Sequence, residues 1–205
     1  MDQLIKESVL KGISYEEYME LVGQFAAEGR TSGAMQTKER IELTKLNASR
    51  MRRLDKTLKL SDQAMEVFKN INTPQDWLVI VESWCADGAQ TLPVLNKIAE
   101  ASPAIDLKIV FRDENDGLMD AFLTNGARAI PKLIVTDKYH TVLDSWGARS
   151  KAATGMVKAY KEKHGKIDDI FKRELQIWYN KDKGVEIVND LLEIVQATEP
   201  LKEGI

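Results

Sequence analysis

Apolar residues fall at helical spacing over the first 72 positions, gather into short runs in the middle of the chain, and return to helical spacing after Gly147. Ser14 and Glu17 make a capping-box pattern ahead of Tyr15, Tyr18, Met19, Val22 and Phe25, and the small polar stretch 29–33 ends that repeat. The spacing predicts a longer helix over 37–59 with Leu43, Leu46, Met51, Leu54 and Leu58 toward the core. Ser61 then caps a short helix carrying Ala64, Met65, Phe68 and Ile71.

The middle alternates strand and helix signals in the manner of an α/β unit. Residues 77–81 and 105–111 read as strands, 86–101 as a helix, and 115–124 as a short helix ended by Asn125-Gly126. Residues 132–136 and 141–145 are two further strands, joined closely enough to form a hairpin. Beyond them, Ile167, Ile170, Phe171, Leu175 and Trp178 mark one amphipathic helix, and Val185, Val188, Leu191, Leu192 and Val195 mark the next. The expected organisation is an N-terminal helical extension over 1–73, an α/β domain over 74–163, and a C-terminal helical extension over 164–205 packed on the core.

With 29 basic and 32 acidic residues the formal charge is -3, which provides no general attraction to nucleic acid or to an anionic membrane. No run approaches the roughly 20 apolar residues of a spanning helix. Asp2, Lys6, Glu7 and Lys11 interrupt the first residues too often for a signal peptide, so a cytoplasmic location is expected. A single cysteine, Cys85, rules out an internal disulfide and a thiolate cluster for zinc or iron-sulfur. The acidic segment 112–117 lacks the calcium-loop spacing, with Thr124 where a closing glutamate is needed, and His140 and His164 are isolated, so neither metal nor cofactor is expected. Lys45, Arg50, Arg52, Arg53, Lys56 and Lys59 stand against Asp55 alone, which reads as a solvated helix face or as a docking surface for an acidic partner.

The chemistry concentrates at Trp84-Cys85-Ala86-Asp87-Gly88, between a strand signal and a helix signal. The free N–H groups and positive end of a following helix stabilise a thiolate, so Cys85 is expected to be nucleophilic near neutral pH, with the Asp87 charge opposing that shift. Pro93 lies eight residues after Cys85, Ala129-Ile130-Pro131 opens a strand, and Gly147 follows the last strand. This set resembles the thioredoxin superfamily over roughly residues 74–163. With Phe111-Arg112-Asp113-Glu114-Asn115 added, it is similar to a bacterial thioredoxin-like family with an N-terminal helical extension, in which the second active-site cysteine is commonly absent.

The resemblance implies a thioredoxin-like fold, a central mixed sheet flanked by helices, with a cis Ile130–Pro131 bond beside Cys85. Substrate would contact Trp84, Ala86, Asp87, Gly88, Ile130 and Pro131. Gly88 occupies the place of the second cysteine, and Val79 occupies the place of the buried aspartate that thioredoxins hold six residues before the first; Glu82 is the nearest carboxylate on the strand side. One thiol can form a mixed disulfide but cannot release itself. The expected function is therefore monothiol thiol-disulfide exchange through Cys85 on a protein or low-molecular-weight disulfide, resolved by an external thiol. The rival expectation is a redox-inactive thioredoxin-fold module that binds a protein partner.

Overall fold

In the computed structural model, which describes residues 1–198, the apolar run at 77–81 lies in strand β1 (Gln75–Val81) and is wholly buried. The end of the expected C-terminal extension, residues 199–205, lies outside the described residues. Strands β2 (Ile105–Phe111), β3 (Lys132–Asp137) and β4 (Val142–Gly147) complete a four-stranded sheet in the order β2-β1-β3-β4. β1 pairs parallel with β2 and antiparallel with β3, and β3 pairs antiparallel with β4. Being covered on both faces, β1 reads as a continuous apolar run and not as an alternation.

Helices α1 (Asp2–Lys11), α2 (Tyr15–Glu28), α3 (Lys38–Thr57) and α4 (Asp62–Lys69) precede the sheet. Both halves of the Ser14/Glu17 capping box form. Just before it, Ile13 donates to the Ile109 carbonyl at 2.9 Å and accepts from the Ile109 N–H at 2.8 Å, covering part of the outer edge of β2. Helix α5 (Gly88–Ala101) follows β1 and contains Pro93; α6 (Asp116–Ala121) follows β2, and α7 (Lys151–His164), α8 (Asp169–Asp182) and α9 (Val185–Thr198) follow β4.

Three helix faces are rotated from their expected positions. On α3 the buried residues are Thr44, Asn47, Ala48, Met51 and Leu54, while Leu46 is 50% exposed. Polar Thr44 and Asn47 turn inward because each finds a partner at Ser83: the two hydroxyls lie 2.9 Å apart, and the Asn47 amide donates to the Ser83 carbonyl at 2.8 Å. On α8, Tyr179 joins Phe171 and Leu175 in the core and Ile170 is exposed, because the Tyr179 hydroxyl has a buried carboxylate to bond. On α9, Asp190 is buried where it accepts from the Trp146 indole at 2.8 Å and the Lys151 N–H at 2.9 Å, and Val185 is exposed. Met65 of α4 is also exposed. On α3, α8 and α9 a hydrogen bond from a distant segment outweighs a simple apolar count.

Ile5, Tyr18, Val22, Met51 and Phe68 from the first helices, residues 77–81 of β1, and Phe171, Tyr179 and Leu191 from the last belong to one buried cluster. Among the described residues, no helix is long and apolar enough to cross a membrane.

Candidate functional site around Cys85

Cys85 lies in the turn between β1 and α5, three residues before the first helical residue, Gly88. Its backbone N–H donates to the Glu82 carbonyl at 3.0 Å, and its carbonyl accepts from Ala89 N–H at 3.1 Å, which fixes the turn from both sides. The residue is 7% exposed. The thiol donates to the Ile130 carbonyl at 3.3 Å, and Sγ accepts from the Gly88 N–H at 3.3 Å. Ile130–Pro131 is a cis peptide bond, so the strand-opening proline stands one residue from the atom the thiol contacts. Gly147 (φ 123°) closes this side, since a Cβ there would overlap the Pro131 carbonyl oxygen.

The expected depression of the Cys85 pKa is not found. Burial pushes the thiol up to about 12, and the Asp87 carboxylate pushes in the same direction; the Gly88 N–H and the Arg149 charge oppose them and lose. The Gly88 and Asp87 N–H groups at the helix end cannot replace the water that would solvate a thiolate at this depth.

Asp87 caps the start of α5 through its backbone, its carbonyl accepting from Thr91 N–H at 3.0 Å, while its side chain points elsewhere. One carboxylate oxygen pairs with Arg149 at 2.6 Å, and the other accepts from the Tyr179 hydroxyl at 3.0 Å. Burial raises the Asp87 pKa, with Arg149 the main influence holding it down. Arg149 and Tyr179 carried no signal in the sequence, since they reach Asp87 from segments remote along the chain.

Trp84 is partly exposed, and the guanidinium carbons of Arg40 and Arg112 lie 4.1 Å and 5.0 Å from its ring centre. Arg112 is in turn held by Asp113 at 2.8 Å. Ala86 is half-buried in the turn beside Cys85. A Cβ on Gly88 would stand 2.5 Å from Val81 Cγ2 and 3.4 Å from Cys85 Cβ, so the position is sterically closed as well as lacking sulfur.

Val79 is buried in the sheet between Ile109 and Leu133 and offers no proton acceptor. Glu82 does not take its place, because both carboxylate oxygens are engaged away from the thiol. One accepts from the Ser32 hydroxyl and the other from the Asp113 N–H at 2.8 Å, and burial raises its pKa. Ser83 beside it is held by Ser32, Thr31, Thr44 and Asn47. The stretch that looked like a mere helix break, 29–33, therefore fastens the N-terminal helices to the residues just before Cys85. Among the described residues, no group of His, Cys, Asp and Glu could hold a metal ion.

The parallel and antiparallel strand order, the Cys85 turn at the head of α5 and the adjoining Ile130–Pro131 strand define a thioredoxin-like protein. A family model described as thioredoxin matches residues 34–161, and the chain belongs to that family, with a single cysteine at its site. No curated protein matches the chain. Two solved structures share the fold. One is an HIV epitope-scaffold, 19% identical with a TM-score of 0.55, and the match covers 90% of this chain and 98% of that one. The other is a protein of unknown function from Pseudomonas aeruginosa, 20% identical with a TM-score of 0.54 and the same two coverages.

Proposed function

We propose that the protein carries out monothiol thiol-disulfide exchange through Cys85. The observation that supports this best is the seating of Sγ, 3.3 Å from both the Gly88 N–H and the Ile130 carbonyl, at the site where a thioredoxin-family chain carries its thiol. In the first step Cys85 sulfur attacks one sulfur of a disulfide R–S–S–R. A new S–S bond forms as the old one breaks, and the Cys85 proton ends on the departing sulfur as RSH. An external thiol then attacks the mixed disulfide, returns Cys85 to the thiol and leaves with the R–S group as a new disulfide. The substrate is a protein or low-molecular-weight disulfide, and Trp84, Ala86, Asp87, Gly88, Ile130 and Pro131 form its contact surface.

The raised thiol pKa sets the rate. Burial leaves less thiolate at pH 7 than an ordinary cysteine has, and the greater nucleophilicity of that thiolate offsets the loss only in part, so exchange is slowed. That slowing, with the buried Asp87–Arg149 pair, favours a second reading in which the same fold holds a protein partner without turnover. Intact mass after incubation with oxidised small thiols separates the two. Adducts on the wild-type chain, absent from Cys85→Ser and reversed by added thiol, are expected for exchange; no adduct with any disulfide up to pH 9 would leave the binding reading.

A further inference from the structure

Between α6 and β3 the chain makes a tight turn before it reaches the thiol. Thr124 and Ala127 exchange backbone hydrogen bonds at 2.9 Å and 3.0 Å, with Asn125 (φ 51°) and Gly126 (φ 75°) between them in the left-handed region that a two-residue turn of this kind requires. The Ala129 N–H then donates to the Ala127 carbonyl at 2.8 Å, and the next residue is Ile130, whose carbonyl accepts from the Cys85 thiol at 3.3 Å.

Arg128 ties this turn to α6. It donates from Nε and Nη2 to the two Asp120 oxygens, each at 2.6 Å, and from Nη1 to an Asp116 oxygen at 2.7 Å. Asp116 and Asp120 are four positions apart and share a face of α6, a helix anchored in turn by buried Leu118 and Met119. Among the described residues, Arg128 is the one side chain of 123–129 that hydrogen-bonds to another element. A single exposed ion pair contributes little, whereas a bidentate fork with a third bond beside it also fixes geometry. The fork stands two residues before the carbonyl that the thiol touches.

Building on the exchange reading above, we infer that Arg128 is a positioning residue for that exchange: its fork on Asp120 and Asp116 holds the 124–129 turn so that the Ile130 carbonyl stays against the Cys85 thiol. A carbonyl that accepts from a thiol favours the protonated form, so releasing it lowers the thiol pKa, and solvent entering the loosened turn lowers it further. The same release misplaces the Ile130 and Pro131 backbone. That loss bears on a disulfide carried on a peptide, which meets this backbone, more than on a small one.

The test uses the full chain and two readouts. Iodoacetamide rates over about pH 6 to about pH 10 report the thiol itself, without any disulfide. Quenched mass spectrometry gives mixed-disulfide rates with the disulfide of a blocked Gly-Cys-Gly peptide and with 2-hydroxyethyl disulfide, taken as a ratio. In Arg128→Gln the alkylation rate at pH 8 should rise about threefold or more, the gain from one unit of lowered thiol pKa. The peptide-to-small ratio should fall by about tenfold. Asp120→Asn should reproduce both changes, the two substitutions together should add little to either alone, and Arg128→Lys should restore part of each. Because the fork is exposed, raising salt from about 10 mM to about 0.5 M should move the wild type toward Arg128→Gln and leave that variant nearly unchanged. Lys97→Gln removes a different exposed pair, with Glu100, and should move neither readout. Unchanged readouts in Arg128→Gln, or equal changes in Lys97→Gln, would overturn the positioning role while leaving exchange intact wherever wild-type adducts form. A shifted alkylation profile in Arg128→Gln with no wild-type adduct from either disulfide would support the hold on the thiol and overturn exchange.

Discussion

Cys85 holds its proton because two effects act together: burial leaves the thiol little solvent, and a carboxylate stands two residues along the turn. The second can be removed alone. Asp87→Asn keeps an acceptor for the Tyr179 hydroxyl and deletes the negative charge, leaving Arg149 to favour the thiolate. The iodoacetamide rate at pH 8 should rise, by about threefold for each unit the thiol pKa falls, a tenfold gain in thiolate being partly offset by its lower nucleophilicity. Because the pair is buried, the gain should depend only weakly on salt. In the wild type the rate should keep climbing through pH 9, and a plateau at or below about 8.5 would contradict the burial argument. Gly88 invites a second substitution. Gly88→Cys alone meets the buried Val81 Cγ2 and should destabilise the fold, whereas Val81→Ala with Gly88→Cys makes room. The 3.4 Å between Cβ positions is just short of the usual disulfide spacing of about 3.5–4.5 Å, so mild oxidation should remove both free thiols from the double variant. Two titratable thiols after oxidation would show that the turn cannot close. Trp84 and Cys85 were legible in the sequence from their place between a strand run and a helical pattern, and Ile130, Pro131 and Gly147 from the resemblance to thioredoxins. Arg149 and Tyr179 were not, since the hydrogen bond that brings Tyr179 to Asp87 spans 92 positions and no local pattern records it.

At the scale of elements, the important joint is between α3, the stretch 29–33 and the end of β1. Asn47 links α3 to the Ser83 carbonyl and to Arg50, so Asn47→Ala leaves a buried carbonyl with one fewer donor and should cost about 1–3 kcal/mol by denaturant unfolding. A loss below about 0.5 kcal/mol would mean that the joint is not stressed in this way. Glu82 carries a pH signature. Its pKa is raised in the fold, so the native state binds more protons than the unfolded chain between the unfolded and folded values. Its contribution to stability therefore falls as pH rises through that window. Glu82→Gln removes this slope while keeping an acceptor for the Asp113 N–H, so a urea midpoint measured from pH 4 to 7 should decline less steeply in the variant. An unchanged slope would assign the titration elsewhere. Strand and helix positions followed from apolar spacing, but the faces of α3, α8 and α9 did not. Thr44, Asn47, Tyr179 and Asp190 turn inward for hydrogen-bond partners that a one-dimensional pattern cannot supply.

Across the whole molecule, the first two helices take part in the same core as the sheet. Ile5, Tyr18 and Val22 are at most 1% exposed, Tyr18 packs on Phe111 with ring centres 5.7 Å apart, and Ile13 occupies the edge of β2. Burial of each such side chain contributes about 1.5–3 kcal/mol, so losing several approaches the roughly 5–15 kcal/mol of net stability of an ordinary domain. Deleting residues 1–36 would also take Thr31 and Ser32 from Ser83 and Glu82, uncovering a charged group where the chain leads into Cys85. The truncated protein should lose its cooperative thermal transition or aggregate, and any folded remainder should alkylate Cys85 faster as solvent reaches the turn. A melting curve and an alkylation rate both matching the full chain would show that residues 1–36 form an independent arm and that the site is held by the 34–161 region alone.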